Sequence, residues 1–150
     1  MYNFNVKNEN VVFSDQDIRK LKDSENDAAK IVLMLIYTGL RASELFNLPV
    51  KSYYDTYIVV KSEKMAGETQ EIPLNKAARK YFKYFKDIAT GDLLLSGYTG
   101  HHTLHDFTHH DFLHLMKELK ITKISLHTAR HTYLESLLKI GKDLAKCAET

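Results

Sequence analysis

The run "IVLMLIY", Ile31 to Tyr37, is unbroken in its apolar character and is followed within two positions by Gly39. It is far too short to cross a bilayer, which takes about 20 apolar residues as a helix. It therefore reads as a helix buried inside a protein. The spacing predicts a helix from Asp27 to Tyr37 that stops at Gly39, a residue able to take the left-handed conformation just past a helix end. A chain of 150 residues that is 44% hydrophobic has the size to enclose such a helix in one domain with a real core.

The rest of the chain supplies its neighbours. The first dozen residues are polar and irregular and are expected to be a tail or linker remnant, with the domain spanning 13–150. Ser14 has the marks of a helix N-cap: "SDQDIRKLKD" carries Asp15 and Asp17 in its first turn, with Ile18 and Leu21 at helical spacing. "RASELFNL" predicts a short helix over Arg41 to Phe46, ended by Pro49. The period then changes. "DTYIVVKSEK" and "TQEIPL" are strand-like and joined by a loop containing Gly67, which predicts a β-hairpin. "NKAARKYFKYFKDI" is amphipathic, capped by Asn75, with Ala78, Phe82 and Phe85 inward. "LLLSG" reads as a short strand or a buried turn. "TLHDFTHHDFLHLMKEL" is helical, and a last pair of helices is expected to start near Ser125 and again after Gly141. The fold class is mainly α with a small antiparallel β-sheet, an α+β domain.

Composition excludes more than it selects. Cys147 is the single cysteine and cannot form an internal bridge, which suits a reducing, cytoplasmic setting. No charged start followed by a long apolar run marks a secretory signal. The net charge of +2 does not by itself point to nucleic acid. From Leu115 to Lys146, however, there are seven Lys/Arg against three Asp/Glu, a surplus that a solvated helix face would also explain.

Three segments could carry chemistry. In "YTGLRASEL", Arg41 lies at the edge of the apolar helix, with Glu44 three residues on. Either the two form an ion pair, or the guanidinium is held ready to take an oxyanion with its planar fork. In the hairpin connection, Lys64 could swing into a groove as a proton donor or phosphate contact, and Lys61 competes for that place. In "LHTARHTY", His127 and Arg130 are three apart on one helical face. His127 and His131 are four apart, which is also a zinc spacing, but the glutamate that hydrolytic zinc sites need after the first histidine is here Thr128. Six of the eight histidines fall between His101 and His114, where Asp106 and Asp111 could add oxygen ligands. They point around more than one helix face, no cysteine supports them, and surface and loop histidines are the favoured reading; no metal site is assigned.

Taken in order, "TGLRASEL", a hairpin lysine ahead of "IPL", and "HTARHT" followed by "LLKIGKDLAK" resemble the catalytic domain of the tyrosine recombinases, the phage integrase family. The resemblance covers the chain from Phe13 onward. It implies DNA strand cleavage and rejoining through a 3′-phosphotyrosine, without metal or cofactor, on double-stranded DNA and as a tetramer. Arg41 and Arg130 would clamp the non-bridging oxygens, and Lys64 would protonate the leaving 5′-oxygen. His127 would contact the scissile phosphate and assist proton transfer. Glu44 would orient the basic cluster, and His131 would be structural.

The family pattern continues into a Leu-Gly-His box and a nucleophilic tyrosine on a following helix. Neither is met before Thr150, and Tyr133 comes roughly a helix and a half too early. The expectation is a C-terminally incomplete catalytic domain, its nucleophile beyond Thr150, that binds DNA without cleaving it. The rival expectations are a non-catalytic DNA-binding module on the same fold and a histidine-rich metal protein.

Overall fold

The computed structural model describes residues 11–61, 67–122 and 124–149, with the backbone alone for 142–149. Its elements follow from local signals that the chain states strongly. Helix α1 (Asp15–Asp23) opens with a reciprocal capping box: Asp17 N–H donates to Ser14 Oγ at 3.0 Å, and Ser14 N–H to Asp17 Oδ2 at 3.2 Å. Helix α2 (Asp27–Thr38) is capped by Asn26, whose Oδ1 accepts from Ala28 N–H at 2.9 Å. It ends at Gly39, with φ of 73°, the left-handed geometry expected there and one residue past the expected end. Every residue from Ile31 to Ile36 is buried, so α2 is wrapped on all sides.

Helix α3 (Ala42–Phe46) follows at once and is succeeded by a 3₁₀ turn (Val50–Ser52) after Pro49. Strands β1 (Tyr57–Lys61) and β2 (Thr69–Pro73) pair antiparallel in the register Ile58 to Ile72 and Val60 to Gln70. Ile58 and Val60, two apart, share the face that turns to the core. Helix α4 (Lys76–Ile88) starts at Asn75, whose Oδ1 accepts from Ala78 N–H at 2.8 Å. Ala78, Phe82 and Phe85 are all buried, as the amphipathic pattern requires, and Tyr81 joins them.

The "LLLSG" segment is a 3₁₀ turn (Leu94–Gly97) with Leu94 and Leu95 buried. A single bridge ties Leu93 to Pro49, so the turn is stapled to the chain after α3 without forming a strand. The histidine-rich segment is one continuous helical rod: a first turn α5 (Leu104–Asp106), a π-helical stretch (Phe107–Phe112), then α6 (Leu113–Leu119). The wider π winding buries Phe107 and Phe112 and leaves the histidines outside.

The expected pair of C-terminal helices is corrected. Helix α7 (Thr128–Glu149) runs straight through Gly141. A glycine ends a helix only where the chain takes a left-handed turn and its last carbonyls find other partners. Gly141 does not take a positive φ, and an interior glycine costs only about 1 kcal/mol relative to alanine, so the helix continues. Helix α2 packs on α1, α4 and α7, and that central position brings α7 and the turn after α2 together. On α7, Leu134, Leu137, Leu138 and Ile140 stand exposed. Among the described residues, no helix is long and apolar enough to cross a membrane.

Candidate functional site

The site begins where α2 ends. Thr38 is buried; its hydroxyl donates to Met34 O at 2.7 Å and accepts from Leu40 N–H at 3.2 Å, which fixes the turn around Gly39. Leu40 is buried, and Arg41, next in line, is carried out to the surface. Glu44 Oε1 accepts the backbone N–H of Arg41 at 2.8 Å, closing the first turn of α3. Glu44 thus holds the backbone that bears the guanidinium, as a glutamate three residues after an N-cap does.

The second wall is the start of α7. The N–H groups of Thr128, Ala129 and Arg130 donate to the carbonyls of Ser125, Leu126 and His127 at 3.0, 3.2 and 3.2 Å. These bonds span three residues each and form a turn over Ser125 to His127 that leads into α7, whose helix starts at Thr128, three residues after the expected place. Thr128, which the sequence marked only as the wrong residue for zinc, caps this start: its Oγ1 accepts from Ser125 N–H at 3.2 Å. Thr132 Oγ1 donates to Thr128 O at 2.9 Å and accepts from Phe13 N–H at 2.9 Å, pinning the helix to the chain's entry into the core.

Two grooves meet at the arginines. One, of about 460 Å³, is lined by Arg41, Glu44, Lys61, Glu71, Arg130 and Tyr133 among others. The other, of about 480 Å³, is lined by Arg41, Ser43, Thr108, His127 and Arg130 with apolar neighbours. Arg41 and Arg130 border both, so the two cations sit on the ridge between the hairpin side and the histidine side. His127 is held below its ordinary imidazole range by partial burial first, then by His131, Arg130 and Arg41. The electrostatics and the groove lining agree that these side chains converge. His127 and His131 meet edge to face, their ring centroids 4.8 Å apart.

The hairpin contributes Lys61 to the first groove. Lys64 lies outside the described residues. The six histidines between His101 and His114 are all exposed, and none of them lines either groove at the arginines. His101 Nδ1 meets Asp111 Oδ1 at 2.6 Å, and His102 Nε2 contacts the Tyr98 carbonyl. Among the described residues, no three His, Cys, Asp or Glu side chains converge as ligands of one ion.

The model of the phage integrase family matches residues 12–150, nearly the whole chain. The chain belongs to that family. A comparison with curated proteins returned no match. Among solved structures, phage integrase relatives share the fold. XerA recombinase superposes with a TM-score of 0.72 at 24% identity, covering 87% of this chain and 52% of that one. The Tn1549 transposon integrase, in complex with circular intermediate DNA, gives 0.69 at 20% identity, covering 87% of this chain and 53% of that one. XerH recombinase, bound to its difH substrate before cleavage, gives 0.60 at 16% identity and covers 97% of this chain and 48% of that one. The chain spans about half the length of these relatives. Its fold, mainly helical with a two-stranded antiparallel sheet among the described residues, is that of the tyrosine recombinase catalytic domain.

Proposed function

We propose that this chain is the phosphate-holding part of a site-specific DNA recombinase or integrase, acting on double-stranded DNA. The observation that carries the reading is the placement of Arg41 and Arg130, from two separate elements, on one ridge between two grooves with His127 beside them. A guanidinium stays charged at any physiological pH and offers a planar fork of donors. Two of them from different directions suit the non-bridging oxygens of a phosphodiester, whose added charge in the transition state must be met by fixed donors.

In the proposed chemistry a tyrosine hydroxyl attacks the phosphorus, forming the O–P bond of a 3′-phosphotyrosine as the bond to the 5′-oxygen breaks. Lys64 gives that oxygen its proton. His127 contacts the phosphate and assists the transfer of the nucleophile's proton. Glu44 acts on Arg41 through the backbone, and His131 acts on His127 through ring contact. No nucleophilic role is proposed for Tyr133, whose ring is spent on packing against Gly39. The working assembly is proposed to be a tetramer on two duplexes.

The test is binding of the chain to a short DNA duplex over a salt series. The expected affinity falls steeply with salt, because Lys and Arg displace condensed counterions from phosphate. Replacing Arg41 and Arg130 together by alanine should flatten the slope by about two charges. Unchanged affinity and slope in the double variant would reject the clamp.

A further inference from the structure

Tyr133 takes part in none of the steps above, yet it lines the same groove as both arginines. Its ring lies against the bare Cα of Gly39. A Cβ built on Gly39 would stand 2.2, 2.5 and 2.8 Å from Tyr133 Cδ2, Cε2 and Cγ, distances that real side chains do not tolerate. Gly39 is therefore required twice, for its left-handed φ and for the room it leaves to the ring.

From each member of this contact a short, stiff path leads to an arginine. Leu40, buried and hydrogen-bonded through its N–H to Thr38, joins Gly39 to Arg41. One turn of α7 joins Tyr133 to Arg130 and sets them on the same helical face. The neighbouring Thr132 anchors that turn from the buried side. We infer that Tyr133 is a positioning residue: its ring, seated on Gly39, sets the separation between the turn bearing Arg41 and the helix bearing Arg130. The spacing role stands on packing alone. Its consequence for DNA rests on the phosphate-clamp reading above.

A ring that merely filled space would change stability and nothing else. The test uses the full chain, with two readouts: the titration of the His127 ring followed by NMR, and affinity for a short DNA duplex. His127 reports on the arginines because both hold its titration down. Tyr133→Phe, which keeps the ring, should match wild type in both. Tyr133→Leu should shift the His127 titration away from wild type and weaken duplex binding about tenfold, as the two cations lose their set separation. Gly39→Ala should also move both readouts away from wild type, since its methyl displaces the ring from the other side; it serves as the working variant if Tyr133→Leu does not fold.

The inference is overturned if both variants melt at lower temperature but keep the wild-type His127 titration and duplex affinity. A shifted His127 titration in a protein whose duplex binding ignores loss of Arg41 and Arg130 would uphold the spacer and reject the clamp. An unshifted one, with binding lost in the arginine variants, would do the reverse.

Discussion

The Tyr98 hydroxyl donates to Asp111 Oδ2 at 2.5 Å, and the same carboxylate takes two more contacts from His101, from its backbone N–H at 2.9 Å and its ring at 2.6 Å. A Cβ on Gly100 would collide with both Asp111 Oδ2 and the Tyr98 hydroxyl, so a glycine is needed for the loop to close over them. This cluster ties the loop after the 3₁₀ turn to the histidine-rich helix. Of the histidines in that segment, His101 serves as a hydrogen-bonding side chain on the carboxylate.

Asp111 should make stability acid-sensitive. Burial raises its pKa, but the bonds from Tyr98 and His101 outweigh that and hold it below its ordinary value of 3.8. A carboxylate with a depressed folded pKa contributes stability that is complete above the ordinary value and is lost as pH falls through the lower folded one. Asp111→Asn should cost about 2 kcal/mol at pH 7, the usual loss for hydrogen bonds to a charged group. Thermal unfolding should show a gap from wild type at pH 7 that narrows towards pH 3. A gap of equal size at both pH values would contradict this assignment.

What could be read in advance was what is local. The caps at Ser14 and Asn75 are decided by side chains within three residues of the backbone they satisfy, so they are visible in the order of residues; Asn26 caps α2 by the same local rule and was missed. The inward trio Ala78, Phe82 and Phe85 is likewise a matter of helical period. Gly141 was misread because glycine is ambiguous without its φ, and φ is set by what the chain does afterwards. The π-helical stretch has no spacing signature of its own. The contacts of Tyr133 with Gly39 and of Tyr98 with Asp111 join distant segments, and no periodicity announces them. At the site itself, Arg41, His127 and Arg130 stood out as motifs, whereas their common ridge exists only once α7 has packed on α2.

The continuity of α7 has a direct consequence for stability. A Cβ at Gly141 would meet nothing within 4 Å, and the residue is helical without a positive φ. Gly141→Ala should therefore stabilise the protein by about 1 kcal/mol, chiefly by reducing the freedom of the unfolded chain. In a domain of this size that corresponds to a rise of roughly 3 °C in Tm. If Gly141 instead ended one helix and began another, alanine would destabilise, and a lowered Tm would show it.

His127 should give the protein a second pH signature. Its folded pKa lies below the ordinary imidazole value of 6.5, first through partial burial and then through His131, Arg130 and Arg41. The neutral ring is thus favoured by folding, and this contribution is whole above pH 6.5 and lost as pH falls through the folded value. Protonation also adds a positive charge beside the arginines, so duplex affinity should rise over the same interval while stability falls. His127→Gln should remove both changes. Persistence of the rise in affinity in that variant would assign it to another histidine.

Arg130→Lys separates charge from shape. The lysine keeps the positive charge and a long aliphatic stem, so the fold should survive with little change in Tm. An ammonium is a point charge and cannot present two parallel donors to two phosphate oxygens. Duplex binding should then weaken about tenfold, roughly 1.4 kcal/mol, while its dependence on salt stays near that of wild type because the number of charges is the same. In a recombinase carrying the complete cleavage apparatus, the same substitution should abolish strand cleavage, since the bidentate contact strengthens as charge develops on the phosphate. Arg130→Ala, by contrast, should lose affinity and salt slope together. If lysine and alanine behaved alike in the salt series, or if lysine matched arginine in affinity, the fork geometry would not be what Arg130 supplies.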